Sequence, residues 1–141
     1  MSQNDEQNQR RIRVPRAKIL IVDDLDVNRL IAEAMLRKFA VKPDMAQSGQ
    51  EALDMTSEKD YDLIFMDHIM PGIDGVEATK RLRGRGGHYA AAPIVALTGN
   101  AEDDIDISYI TEGFSGHILK PLEEETLEEC LKKFLPPELI L

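Results

Sequence analysis

An α/β fold built on a parallel sheet is predicted by three observations. Short apolar runs alternate with amphipathic stretches along most of the 141 residues. Strands separated by helices must lie parallel, and right-handed crossovers then cover both faces of an open sheet, giving a doubly wound architecture. Four of the runs also end in a polar group: Ile19 to Val22 in Asp23-Asp24, Leu63 to Met66 in Asp67, Ile94 to Leu97 in Thr98, and Ile118-Leu119 in Lys120. Open sheets of this kind place their chemistry at the carboxyl ends of the strands.

The elements follow in order. Residues 1–16 are rich in Gln, Asn, Asp and Arg without an apolar period, and are expected to be a disordered tail or linker ahead of a domain at 17–135. Lys18 to Val22 is the first strand. Asp26 to Phe39 carries Val27, Leu30, Ile31 and Ala34 on one helical face. A weak strand near Pro43 to Ala46 leads to a helix opened by Ser48-Gly49-Gln50-Glu51 and carrying Ala52, Leu53 and Thr56. Asp62 to Met66 is the third strand, followed by the turn Pro71-Gly72-Ile73-Asp74-Gly75. A helix from Val76 to Arg83 is ended by Gly84, Gly86 and Gly87. Pro93 to Leu97 is the fourth strand, Asp103 to Thr111 an acidic helix, Gly116 to Leu119 a short strand, and Glu123 to Phe134 the last helix, closed by Pro136-Pro137. Residues 136–141 are expected to be a short tail.

Composition narrows the class. One domain of this length can bury a core without disulfides or metals. No apolar run approaches the roughly 18 residues of a membrane helix, and the polar N-terminus is unlike a signal peptide, so a soluble, cytoplasmic domain without membrane contact is expected. The single cysteine, Cys130, falls in the stripe Leu127, Cys130, Leu131, Phe134 and is expected to be a buried small hydrophobe. A net charge of −9 disfavours nucleic acid. Residues 1–18 hold five basic and two acidic side chains, and residues 100–141 eleven acidic and three basic, so the last helices should carry a solvated negative face.

The strand ends define a constellation. Bringing Asp23, Asp24 and Asp67 together costs about 4 kcal/mol for each like-charge contact near 4 Å at an effective dielectric of about 20. A cation must offset this, and Mg²⁺, which binds through one or two carboxylates with water and substrate phosphate, is the natural occupant. Lys120 adds a point charge for phosphoryl oxygens and Thr98 a hydroxyl. Asp67 is then placed to attack a phosphoryl group and form an acyl phosphate.

These residues carry a family resemblance. Asp23-Asp24, the segment Met66-Asp67-His68-Ile69-Met70-Pro71-Gly72-Ile73-Asp74-Gly75, Ala96-Leu97-Thr98-Gly99-Asn100-Ala101 and Lys120-Pro121 make the chain resemble the receiver domains of bacterial response regulators and hybrid histidine kinases over about residues 17–135. Val22-Asp23-Asp24 followed by Asn28-Arg29 looks most like the receivers of hybrid sensor kinases. The resemblance implies a flavodoxin-like sheet of order 2-1-3-4-5 with five helices. It implies that Asp67 takes its phosphoryl group from phosphohistidine, on a histidine kinase or a histidine phosphotransfer domain, and then switches the binding of a downstream protein. Asp24, Asp67 and the Ile69 carbonyl would ligate Mg²⁺, with Asp23 acting through water. Lys120 would hold the phosphoryl oxygens and precede a cis Pro121. Thr98 would move toward the new phosphate. His117 stands where many relatives carry the aromatic residue of the switch, while Ile69 and Asn100 occupy positions that tune dephosphorylation.

Other readings compete. Asp24-Leu25-Asp26-Val27-Asn28 starts like an EF-hand loop, but Arg29 and Met35 stand where glycine and glutamate are needed. His68 and His88 lack metal-ligand spacing. Gly84-Arg85-Gly86-Gly87 is no phosphate loop, because Lys-Ser/Thr does not follow. A receiver-like binding module that works without phosphorylation is the alternative function. A turnover phosphatase would need a water-activating group that the sequence does not show. An excised domain of a hybrid kinase is expected over a stand-alone regulator, given Asn28-Arg29 and the apolar end Leu139-Ile140-Leu141.

Overall fold

The computed structural model describes residues 11–99 and 112–141. Five strands, β1 (Ile19–Val22), β2 (Asp44–Ala46), β3 (Leu63–Asp67), β4 (Ile94–Thr98) and β5 (Gly116–Leu119), form one parallel sheet in the order β2-β1-β3-β4-β5. Four α-helices are present among the described residues: α1 (Asp26–Arg37), α2 (Gly49–Thr56), α3 (Gly75–Arg85) and α4 (Glu124–Phe134). The fifth helix expected at Asp103 to Thr111 lies outside the described residues. The topology is the expected flavodoxin-like one.

The central strands β1, β3 and β4 are fully buried and apolar up to the polar ends of β3 and β4, because both of their faces are covered, whereas the edge strands β2 and β5 carry Asp44 and His117. Side chains alternate across a strand. Leu20, Val22, Ile64, Met66, Ile94 and Ala96 therefore point into one core, with Ala52, Leu53, Ala78 and Leu82 of α2 and α3. Ile19, Ile21, Leu63, Phe65, Val95 and Leu97 point into the other, with Ala32 and Leu36 of α1 and Leu127, Cys130 and Leu131 of α4. Burial pushes the Cys130 thiol up to about 12, so it is protonated and packs as a hydrophobe.

The starts of α2 and α3 are set by side-chain caps. The Ser48 hydroxyl accepts from the Glu51 N–H at 3.1 Å, and Asp74 Oδ1 accepts from the Glu77 N–H at 2.8 Å. Each satisfies one of the free donors of the first turn. α3 ends at Gly86, whose φ of 73° suits glycine.

Two features differ from simple expectation. The apolar stripe of α1 faces outward: Val27 and Leu30 are 59% and 61% exposed, and Ile31 is also exposed, while the helix buries Ala32 and Leu36. Packing also continues past residues 17 and 135. Val14 is fully buried, and Ile12, Leu139 and Ile140 pack against the α1 and α4 core. No helix among the described residues is long and apolar enough to cross a membrane.

Candidate phosphoacceptor site

Parallel register brings the ends of β1, β3, β4 and β5 to one edge of the sheet, pairing Val22 with Met66, Asp67 with Leu97 and Thr98 with Leu119. Asp23, Asp24 and Asp67 each present a carboxylate oxygen within 4.8 Å of the others. Asp23 and Asp67 are buried, and Asp24 is half-buried. Lys120, beyond β5, reaches back so that its Nζ donates to Asp67 Oδ1 at 3.0 Å and lies 3.1 Å from Asp23 Oδ2. Its backbone N–H donates to the Thr98 carbonyl at 2.7 Å, which ties the end of β5 to the end of β4. The Lys120-Pro121 bond is cis.

The electrostatics follow from this packing. Burial raises the pKa of Asp67 above its ordinary 3.8; the Lys120 hydrogen bond opposes the rise and the Asp23 charge adds to it. Burial alone would lower Lys120, but Asp67 and Asp23 together carry it above its ordinary 10.5. The ammonium is thus held charged among more negative charge than it can neutralise. Asp23 Oδ2 is buried with the Lys120 ammonium 3.1 Å away and no further partner among the described residues. Three convergent carboxylates facing a single ammonium fit a hard, oxygen-seeking divalent cation.

Neighbouring residues hold the carboxylates in place. Asp23 Oδ1 accepts from the Leu25 N–H at 3.0 Å and from Asn28 Nδ2 at 3.4 Å, while Arg29 donates to the Asp23 carbonyl at 2.7 Å and pairs with Asp26. The residues from Asp26 onward are helical, so no EF-hand loop exists there. This support of Asp23 by Asn28 and Arg29 is not among the sequence expectations; their side-chain types and spacing from Asp23 are the signal that could have shown it.

Gly75, which the sequence offers as turn chemistry and as part of the resemblance, also has a packing role. A Cβ on it would stand 2.2 Å from the Asp67 carbonyl oxygen, so α3 can start this close to β3 only without a side chain. The Gly75 N–H donates to the His68 carbonyl at 3.2 Å, closing the 68–74 loop.

The remaining expected residues stand as follows. Thr98 is buried at the end of β4. Ile69 lies on the loop after Asp67 with its side chain 78% exposed. His117 is half-buried on β5 opposite Ala96, apart from the acidic cluster. Because Ile118 packs with the α1 and α4 core, alternation puts His117 on the other sheet face, the one to which Thr98 also belongs. His68 meets Phe114 edge to face and lies 4.0 Å from Glu112. His88 sits 2.6 Å from the Tyr61 carbonyl. Asn100 lies outside the described residues.

A parallel sheet with acidic, hydroxyl and amine groups on its carboxyl edge defines a receiver, and the chain belongs to the response regulator receiver domain family, whose model matches residues 19–132. It is 31% identical over 121 residues to the aerobic respiration control sensor protein ArcB of Escherichia coli, covering 86% of this chain and 15% of ArcB. Among solved structures it is similar to the receiver domain of the sensor histidine kinase PA1611 of Pseudomonas aeruginosa, which has a magnesium ion coordinated in its active-site cleft. The TM-score is 0.76 and the identity 30%, covering 84% of this chain and 96% of that one. It is also similar to the receiver domain of Ssk1 from Saccharomyces cerevisiae, solved with the histidine phosphotransfer protein Ypd1, with a TM-score of 0.75 and 28% identity over 86% of this chain and 90% of that one. The chain spans between 13% and 16% of the length of the curated relatives it matches.

Proposed function

We propose that Asp67 is the phosphoacceptor of this receiver, taking a phosphoryl group from phosphohistidine on a histidine kinase or histidine phosphotransfer protein. The observation that carries this reading is Lys120 Nζ, 3.0 Å from Asp67 and 3.1 Å from Asp23. An Asp67 carboxylate oxygen bonds to phosphorus as the phosphorus–nitrogen bond of the donor breaks, and the imidazole leaves with its electron pair and takes a proton. The Lys120 ammonium neutralises charge on the transferred oxygens, and Thr98 supplies a hydroxyl to them. Transfer of this kind depends on positioning and charge compensation, with no dedicated base. Asp23, Asp24, Asp67 and the Ile69 carbonyl would hold Mg²⁺, which when bound offsets the negative charge of phosphate beside carboxylate.

The outward stripe of α1 supports a docking role. Leu25, Val27, Leu30 and Ile31, with Ile69 and Leu119, are exposed large hydrophobics near the phosphoacceptor end of the sheet. Such a patch suits a helical partner that must bring its phosphohistidine to Asp67. Thr98 and His117, on one sheet face, form the switch that alters binding of a downstream protein. We read the domain as cytoplasmic and as the receiver of a hybrid kinase, which its similarity to sensor proteins such as ArcB supports. The chain itself would catalyse only its own phosphoryl acceptance and a slow hydrolysis of its acyl phosphate.

Incubation with a small phosphodonor and Mg²⁺, followed by intact mass, tests the proposal. The parent should gain one phosphate and Asp67→Asn none. A gain in the variant moves the nucleophile elsewhere. No gain in the parent favours a binding module that works without phosphorylation.

A further inference from the structure

Residues 11–17 precede the segment that matches the receiver family at 19–132, yet they are built into the fold. Val14 is fully buried, and its N–H donates to the Phe39 carbonyl at 2.8 Å. The Ile12 N–H donates to Glu128 at 3.2 Å. Arg13 and Leu141 exchange both backbone hydrogen bonds, at 2.8 and 3.4 Å, as an antiparallel pair does. Arg16 donates to the Glu138 carbonyl at 2.7 Å. Arg11 pairs with Glu124 and sits 5.8 Å from the centre of the Phe39 ring, and Glu124 also takes Lys38 at 3.3 Å.

Lys38 and Phe39 follow the end of α1, whereas Glu124 opens α4. The segment therefore joins the close of one helix to the start of the other. α1 and the loop that leads from β5 into α4 wall a recess of about 60 Å³ beside the phosphoacceptor site. Asn28, Ile31 and Ala32 of α1 face Pro121 and Leu122, with Asp23 and Lys120 also on its wall.

We infer that residues 11–17 are a strap that sets the spacing of α1 and α4 and, through Leu122 to Glu124, holds Lys120 over Asp67. The folded unit then runs from residue 11 to 141, and the strap residues are positioning residues. Only Arg11 of the strap pairs with Glu124, and a pair that is partly open to solvent contributes modestly. The buried Val14 therefore carries more of the hold than the charges.

The full chain is compared with forms lacking residues 1–10 or 1–16 and with Val14→Ala and Val14→Ile. Amide exchange of residues 120–124, Mg²⁺ affinity and acceptance from a small phosphodonor are measured on each. Removing 1–10 and Val14→Ile should change nothing. Removing 1–16, or Val14→Ala where that deletion does not fold, should speed exchange at 120–124 by about tenfold and slow acceptance by about fivefold. Mg²⁺ affinity should hold, because its ligands come from the ends of β1 and β3. Unchanged exchange at 120–124 overturns the inference. So does Mg²⁺ affinity falling in step with the rate, which means general loosening. A parent that accepts no phosphate defeats the phosphoacceptor proposal instead, and the exchange comparison still decides on the strap.

Discussion

The ammonium of Lys120 lies 3.0 Å from Oδ1 of Asp67 across 53 residues of sequence, and 3.1 Å from Asp23 on a third strand. The pairing is enforced by register, since β4 lies between β3 and β5 and only a side chain as long as lysine can cross it. The same ammonium thus balances the buried carboxylates, and under the proposed function it would also meet the arriving phosphoryl oxygens.

Lys120→Ala should leave Asp23 and Asp67 uncompensated and destabilise the metal-free chain by about 1–3 kcal/mol. Saturating Mg²⁺ should shrink that deficit, because a ligand that binds only the native state adds about 2.7 kcal/mol at a hundredfold excess over its Kd. Denaturant unfolding with and without Mg²⁺ measures both. Equal deficits in the two conditions would separate the lysine from the cation site.

Asp67→Asn removes one of three crowded carboxylates and should stabilise the metal-free protein by on the order of 1 kcal/mol, a Tm gain of a few degrees. The sign follows from the raised pKa of Asp67. A carboxyl that ionises less readily in the folded state than in the unfolded state erodes stability as pH rises through its range, above the ordinary 3.8. The variant should lack that loss between acid and neutral pH. Thermal melts across the interval show the difference.

How much of this was legible in the sequence varied with the burial pattern. Central strands covered on both faces stay apolar up to the first polar residue, so Asp23, Asp67 and Thr98 marked the edge of the site, and Lys120 followed the short edge strand β5. The stripe on α1 announced a helical face without its direction. The larger hydrophobics Val27, Leu30 and Ile31 lie on the outside or at the recess, while little beyond Ala32 and Leu36 suffices inside. Ile12 and Val14 were hidden because two apolar residues among arginines have no period, and their partners Glu128 and Phe39 lie far along the chain.

Gly75→Ala should be costly despite the small change. Its methyl would stand 2.2 Å from the Asp67 carbonyl, forcing β3 and α3 apart. A loss of about 1–3 kcal/mol is expected, together with weaker Mg²⁺ binding as Asp67 shifts. Calorimetry and Mg²⁺ titration report the two effects.

Leu30→Asp on the outer face of α1 should spare acceptance from a small phosphodonor and weaken binding of a cognate histidine phosphotransfer protein by about tenfold or more. Parallel assays with the two donors distinguish damage to docking from damage to the site.

At the opposite end of the sheet, Tyr61 donates to Asp44 at 2.6 Å and holds that carboxyl below its ordinary 3.8. A depressed carboxyl contributes stability above its unfolded pKa and loses it as pH falls through the folded value. Tyr61→Phe should cost about 1 kcal/mol at neutral pH, and the gap to the parent should narrow below pH 3.8. Urea titrations at several pH values trace it.

The outward face of α1 has a colloidal consequence. Exposed aliphatic side chains invite one copy to stick to another, yet every copy carries a formal charge of −9. Mutual repulsion then opposes self-association in dilute buffer, and that protection fades once ions shorten its reach to about 3 Å near 1 M salt.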